Sequence, residues 1–155
     1  MKKIDQIDKQ ILQILLVDGR TPYTEIAHQL GYSEGTIRSR IAKLLQDEVF
    51  EFVIRVNPEK LGLQVQAIIG LTTKLGMQKN VAEELSILPE VRFVGAFSGK
   101  HDLMIQACFH DNNELIFFVN ERLSRIEGIA AADVSLELKQ YKDSFSYVRD
   151  DEVAI

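Results

Sequence analysis

Between Thr21 and Leu45 the chain reads TPYTEIAHQLGYSEGTIRSRIAKLL, two stretches with apolar residues three and four apart, separated by Gly-Tyr-Ser. Such spacing marks amphipathic helices. Thr21 can cap the first helix and Pro22 can open it, because an N–H missing at the first helical position has no intrahelical partner to lose. Ile26, Ala27 and Leu30 form its apolar stripe. Gly31 then allows the left-handed conformation that ends a helix, and Ser33 can cap the next one. The expected turn is about three residues long, which predicts a helix-turn-helix.

On the second helix Ile37, Ile41, Leu44 and Leu45 make the buried stripe. At about 100° per residue, Ser39 lies opposite it, with Gly35, Thr36, Ala42 and Lys43 on the same outward side and Arg38 and Arg40 on the flanks. Small outward residues allow close approach to a major groove, and a cationic rim reaches phosphates or guanine edges. Thr21, Ser33, Gly35, Thr36, Arg38, Ser39, Arg40 and Lys43 are therefore the candidate contacts to double-stranded DNA. The competing readings are an ordinary solvated face and, for Arg40, a pair with Glu25 or Asp47. Upstream, Ile4, Ile7, Ile11, Ile14 and Leu15 predict a helix from Asp5 to Val17 that completes a three-helix core.

The net charge of −5 looks unfavourable for a nucleic-acid binder until its distribution is considered. Residues 1–55 carry eight Lys/Arg against eight Asp/Glu, so the whole excess belongs to the remainder, ten against fifteen. A neutral head neutralises few phosphates, so useful affinity calls for several heads on one DNA. The sequence holds no run of about 18 apolar residues, and Met1-Lys2-Lys3 leads into an amphipathic helix and not a signal-peptide core, so the expected location is cytoplasmic, on the nucleoid. The single cysteine, Cys108, cannot form an internal disulfide and reads as a buried core thiol.

Beyond Val49–Val56, which predicts a strand, and a turn at Asn57–Lys60, apolar alternation resumes. Val65 to Thr73, Val91 to Ser98, Leu103 to Phe109 and Val134 to Leu138 predict strands. Val81, Ala82, Leu85 and Leu88, and then Leu115, Phe118, Val119, Leu123 and Ile126, predict helices. The order is βαββαβ, a ferredoxin-like unit. Both helices on one face leave the other, marked by Ile68, apolar and in need of a partner, for which a second copy packing sheet to sheet is the expected solution.

The chain resembles the leucine-responsive and asparagine regulators, the Lrp/AsnC family. Ile7-Asp8, Ile11-Leu12, Glu25-Ile26-Ala27, Leu30-Gly31, Ser33, Thr36, Arg40, Ile41, Leu44, Asn57-Pro58 and Leu61-Gly62 carry the likeness, with Gly99 and Asp102 fitting that family's Gly-x-x-Asp turn. The resemblance implies an α+β protein: a three-helix winged helix-turn-helix followed by a βαββαβ domain for ligand binding and oligomerisation. It further implies a small amino-acid effector held between dimers, with homodimers assembling to a tetramer or octamer. Ser98, Gly99, Lys100, His101 and Asp102 are the implied effector residues, with Ala132 and Val134 on the last strand, where family members commonly carry threonines. Losing two hydroxyls leaves two alternatives, a pocket for an apolar side chain or a ligand-independent architectural protein. The turn itself also admits a plain hairpin in which Asp102 bonds its own backbone.

No catalytic or metal site is expected, and no cofactor beyond that effector. His28, His101 and His110 lack neighbours at metal-ligand spacing, Glu83-Glu84 reads as a solvated face, and the chain shows no phosphate loop, nucleophile elbow or HExxH. The expected organisation is a DNA-binding head over 1–56, a linker over 57–63, the βαββαβ domain over 64–148 and an acidic tail over 149–155. Tyr141 to Val148 reads as an added edge strand.

Overall fold

The computed structural model describes residues 4–142, so the acidic tail and most of the proposed edge strand at Tyr141–Val148 lie outside the described residues. The described chain divides into two compact units, one running to Arg55 and one from Val56 to Lys142.

The first unit is three helices, α1 (Gln6–Val17), α2 (Tyr23–Leu30) and α3 (Glu34–Gln46). Asp5 caps α1 through a reciprocal box with Asp8, each carboxylate accepting from the other's backbone N–H. α2 begins at Tyr23 with no side-chain cap. Thr21, expected to cap it, sits one residue too early, and its hydroxyl donates instead to the Asp18 carbonyl at 2.8 Å, closing the turn after α1. Gly31 ends α2 at φ 73°, and Ser33 caps α3 by accepting from the Thr36 N–H at 3.1 Å. Ile11, Leu15, Ile26, Ala27, Ile37 and Ile41 form the core of this unit.

The strand expected over Val49–Val56 does not form: residues 51–57 have no regular structure, and Val53 and Ile54 are exposed. A strand needs a partner for its N–H and C=O groups, and the described part of this unit contains no other strand. What orders the start of the segment is aromatic packing. Phe50 and Phe52 meet edge to face at 5.2 Å, and Phe52 lies against Gly19.

In the second unit a short 3₁₀ turn (Pro58–Leu61) precedes β1 (Val65–Thr73), α4 (Gln78–Ser86), β2 (Val91–Ala96), β3 (Leu103–Phe109), α5 (Asn112–Phe117) and β4 (Ile129–Leu136). α5 continues through a wide π turn and a 3₁₀ turn to Arg125. β4 starts at Ile129, earlier than the apolar alternation suggests, and stops at Leu136, leaving Leu138 exposed. All pairings are antiparallel, in the order β2-β3-β1-β4. Ala67, Ile69, Leu71, Leu103, Ile105, Ala107 and Phe109 point to the helices and are fully or almost fully buried against Val81, Leu85, Leu115, Phe118 and Leu123.

The opposite face is open. Ile68, Phe93 and Phe97 are exposed there, and one row across the sheet runs Gly95, Met104, Gly70, Asp133. Cys108, expected in the core, belongs to this open face. Strand alternation turns its neighbours Ala107 and Phe109 inward and the thiol outward, half-buried opposite Gln66.

Candidate functional site

The outward face of α3 is built as its periodicity requires. Gly35, Thr36, Arg38, Ser39, Ala42 and Lys43 are exposed, while Ile37, Ile41 and Leu44 are buried. Ser33 and Thr36 are locked together at the start of the helix, Oγ to Oγ1 at 2.8 Å. Arg38 is not a loose cation. Its guanidinium donates to Glu34 Oε1 at 2.5 Å and lies 5.3 Å from the centroid of the Tyr23 ring, so a carboxylate and an aromatic face hold it from two directions.

Arg40 is turned the other way. Its Nη1 donates to Asp5 Oδ2 at 2.7 Å and to Asp8 Oδ1 at 2.8 Å, clamping the start of α1 to the middle of α3. The partner is thus neither Glu25 nor Asp47. Arg40 sits three residues after Ile37, on the flank that faces α1, and the two capping carboxylates of α1 converge there. The Asp8 backbone N–H and the Arg40 guanidinium hold the Asp5 carboxyl below the usual carboxylate range, and the two carboxylates raise Arg40 above its ordinary value.

In the second unit the candidate turn residues Ser98–Asp102 sit at one end of the sheet, where three loops meet. The Asp102 carboxylate accepts from the Thr73 N–H at 2.7 Å and from its hydroxyl at 3.2 Å, and the Asp102 carbonyl accepts from Gln78 Nε2 at 2.9 Å. The Lys74 N–H donates to the Gly128 carbonyl at 2.7 Å, tying in the loop before β4. Gly99, at φ 140°, forms the apex of the β2–β3 turn between exposed Ser98 and Lys100.

The turn folds down over the open face of the sheet. Lys100 Nζ pairs with Asp133 Oδ2 at 2.7 Å, His101 Nε2 lies 3.6 Å from the same oxygen, and the His101 ring covers Gly70. The Lys100 ammonium keeps the Asp133 carboxyl below the usual range. His101 Nδ1 is buried with no hydrogen-bond partner. Ala132 and Val134 lie on the other face, paired with Leu71 and Ile69, at the margin the helices leave uncovered. The β4 residue that meets the turn is the one between them, Asp133, and strand alternation is the signal that separates it from its neighbours.

Comparison with known proteins agrees with the helix-turn-helix reading of the head. The profile of the AsnC-type helix-turn-helix domain matches residues 4–45, and that of the Lrp/AsnC ligand binding domain matches residues 66–147. The chain is 36% identical to the HTH-type transcriptional regulator LrpA of Pyrococcus horikoshii, over 90% of this chain and 99% of that one. Among solved structures it is similar to AsnC of E. coli, with a TM-score of 0.87 and 26% identity over 91% of this chain and 96% of that one. It is also similar to a transcriptional regulator of Neisseria meningitidis solved as an L-Met complex, with a TM-score of 0.88 and 27% identity over 93% of this chain and 96% of that one. A helix-turn-helix with a small-residue outward face, joined to a βαββαβ unit and matched over both parts, places this chain in the Lrp/AsnC family of DNA-binding transcriptional regulators.

Proposed function

We propose that the second unit takes a small amino acid at its loop end and that this ligand shifts the assembly of the regulator, and with it the spacing of the DNA-binding heads. The observation that carries the reading is the junction at Asp102 of the β2–β3 turn with the two ends of the β1–α4 connection, where its carboxylate and carbonyl reach Thr73 and Gln78, beside an exposed glycine apex at Gly99. Backbone N–H groups at such an apex suit an α-carboxylate, and Asp133 and Asp102 offer negative charge to an α-ammonium. The Neisseria relative's L-Met complex supports a ligand of this class. The ligand must bind two assembly states unequally, and a coupling of about 1–3 kcal/mol is enough.

The open sheet face supplies the second half of the proposal. Ile68, Phe93 and Phe97 are exposed on it, and a second copy covering this face makes a homodimer that assembles further to a tetramer or octamer on nucleoid DNA in the cytoplasm. In the head, Arg38 reads base edges and Lys43 meets a phosphate, with Gly35, Thr36 and Ser39 lining the approach and Thr21 and Ser33 beside it.

Light scattering behind size exclusion, with and without each of the twenty amino acids, tests this. A multimer whose mass or thermal stability shifts with one amino acid supports the sensing reading, and a monomer overturns the shared-face argument. A fixed multimer indifferent to all twenty favours a ligand-independent architectural protein, the reading that the prior engagement of Asp102 by Thr73 supports. Footprinting then separates them, since sensing at an operator leaves bounded protection and architectural binding coats DNA uniformly.

A further inference from the structure

Glu34 is the first residue of α3, at the end that a helix-turn-helix presents to the major groove, and its side chain is 43% exposed. Negative charge there favours the helix N-terminus but repels every phosphate that approaches. The head is charge-balanced, so it has no surplus of cations to outweigh such repulsion. An acidic side chain at that end of the helix therefore weakens binding to all DNA except a sequence that gives its carboxylate a donor.

The neighbouring geometry shows what that sequence offers. Glu34 Oε1 holds the Arg38 guanidinium at 2.5 Å, while the Tyr23 ring lies 5.3 Å from the guanidinium carbon. Arg38 is 64% exposed, and swinging to a backbone phosphate would cost it both of these contacts. Residues in the first turns of a recognition helix are those that reach base edges. A carboxylate there accepts from an exocyclic amino group, best from cytosine N4, and a planar guanidinium forks onto guanine O6 and N7.

We propose that Glu34 is a specificity-determining residue: paired with Arg38 over Tyr23, it bars the arginine from indiscriminate phosphate contact and makes the two side chains read an amino-donor base next to a guanine. Tyr23 is the positioning residue of the pair. Discrimination here comes from penalising wrong sequences as much as from rewarding the right one.

The test uses the full-length protein. A duplex is selected from a random DNA pool by the wild type, and affinities for it and for a random-sequence duplex are compared in wild type, Glu34→Gln and Arg38→Lys. The expected result for Glu34→Gln is tighter binding to the random duplex, by about threefold or more. Its ratio of selected to random affinity should fall about tenfold or more. Repeating the selection with Glu34→Gln should change the preferred base at one position and leave the others. Arg38→Lys, which keeps the charge but loses the fork and the stacking, should lower the ratio at the adjacent guanine. An unchanged ratio in Glu34→Gln overturns the proposal. So does an equal loss on both duplexes, which would reduce Glu34 to a support of the helix end, and so does a wild type that selects no sequence.

Discussion

The His101 ring lies over Gly70 so closely that a Cβ at residue 70 would sit 2.5 Å from its Cδ2 and 2.6 Å from its Cγ. No L side chain fits beneath it without moving the imidazole. Gly70→Ala should therefore lift His101 off the sheet and destabilise the second unit by about 1–3 kcal/mol. Thermal unfolding of the single and double variants checks this. In a His101→Ala background the same substitution should cost much less, because the ring that blocks it is gone.

Arg40 and the two carboxylates of α1 predict an acid response of the head. Asp5 is held below its ordinary value, first by the Asp8 N–H and then by Arg40. A depressed carboxylate contributes stability that is complete above the unfolded carboxyl range, about pH 4, and is lost as the pH falls through the folded value. The protection of α1 amides, measured as exchange relative to the intrinsic rate of an unfolded chain at the same pH, should fall on acidification in the wild type. Arg40→Ala should exchange faster at neutral pH and show a shallower acid dependence, since part of the depression is already gone.

Asp102→Ala removes the acceptor of the Thr73 N–H and hydroxyl. The partly buried amide is then left without a partner, at a cost of about 1–3 kcal/mol. Denaturant unfolding should show this loss, while DNA affinity measured without added amino acid stays unchanged. Calorimetric titration with the amino acid found in the assembly experiment should show no binding in the variant.

Lys43 is exposed in the last turn of α3. Lys43→Ala should weaken binding about equally on selected and random duplexes. It should also flatten the dependence of log affinity on log salt by about one unit, the mark of one lost phosphate contact.

The helices were legible because their ends are local events: Gly31 and Ser33 sit beside the backbone they terminate and cap, and the stripes through Ile26 and Ile37 declare which side is inward. The βαββαβ order was equally plain in the alternation of Ala67, Ile69 and Leu71. What distance in sequence hid was partnership. Arg40 meets carboxylates 32 and 35 residues away, and Lys100 meets Asp133 across the sheet, and no local pattern encodes either. Val49–Val56 shows the converse error, since its β-rich composition describes a readiness to pair that no strand in its described unit meets. Cys108 was misplaced although its neighbours were read correctly, because a half-hydrophobic open face makes alternation between two apolar sides easy to miss. Glu34 stood in view beside the Ser33 cap, and only the position of Arg38 over Tyr23 distinguishes it from an ordinary helix-opening acid.

The strand order β2-β3-β1-β4 also governs the timing of folding during synthesis. β1 is flanked by β3 on one side and β4 on the other, and its partners in β4 emerge 56 to 69 residues after it, as the pairs Thr73 with Ile129 and Ala67 with Leu136 record. The three helices of the head contact one another over short separations and can close as soon as α3 leaves the ribosome, whereas the sheet cannot complete until nearly all of its unit has been made. A nascent chain thus carries a finished DNA-reading head while β1 still has a bare edge, and any delay in translation between Phe109 and Ile129 prolongs that exposure.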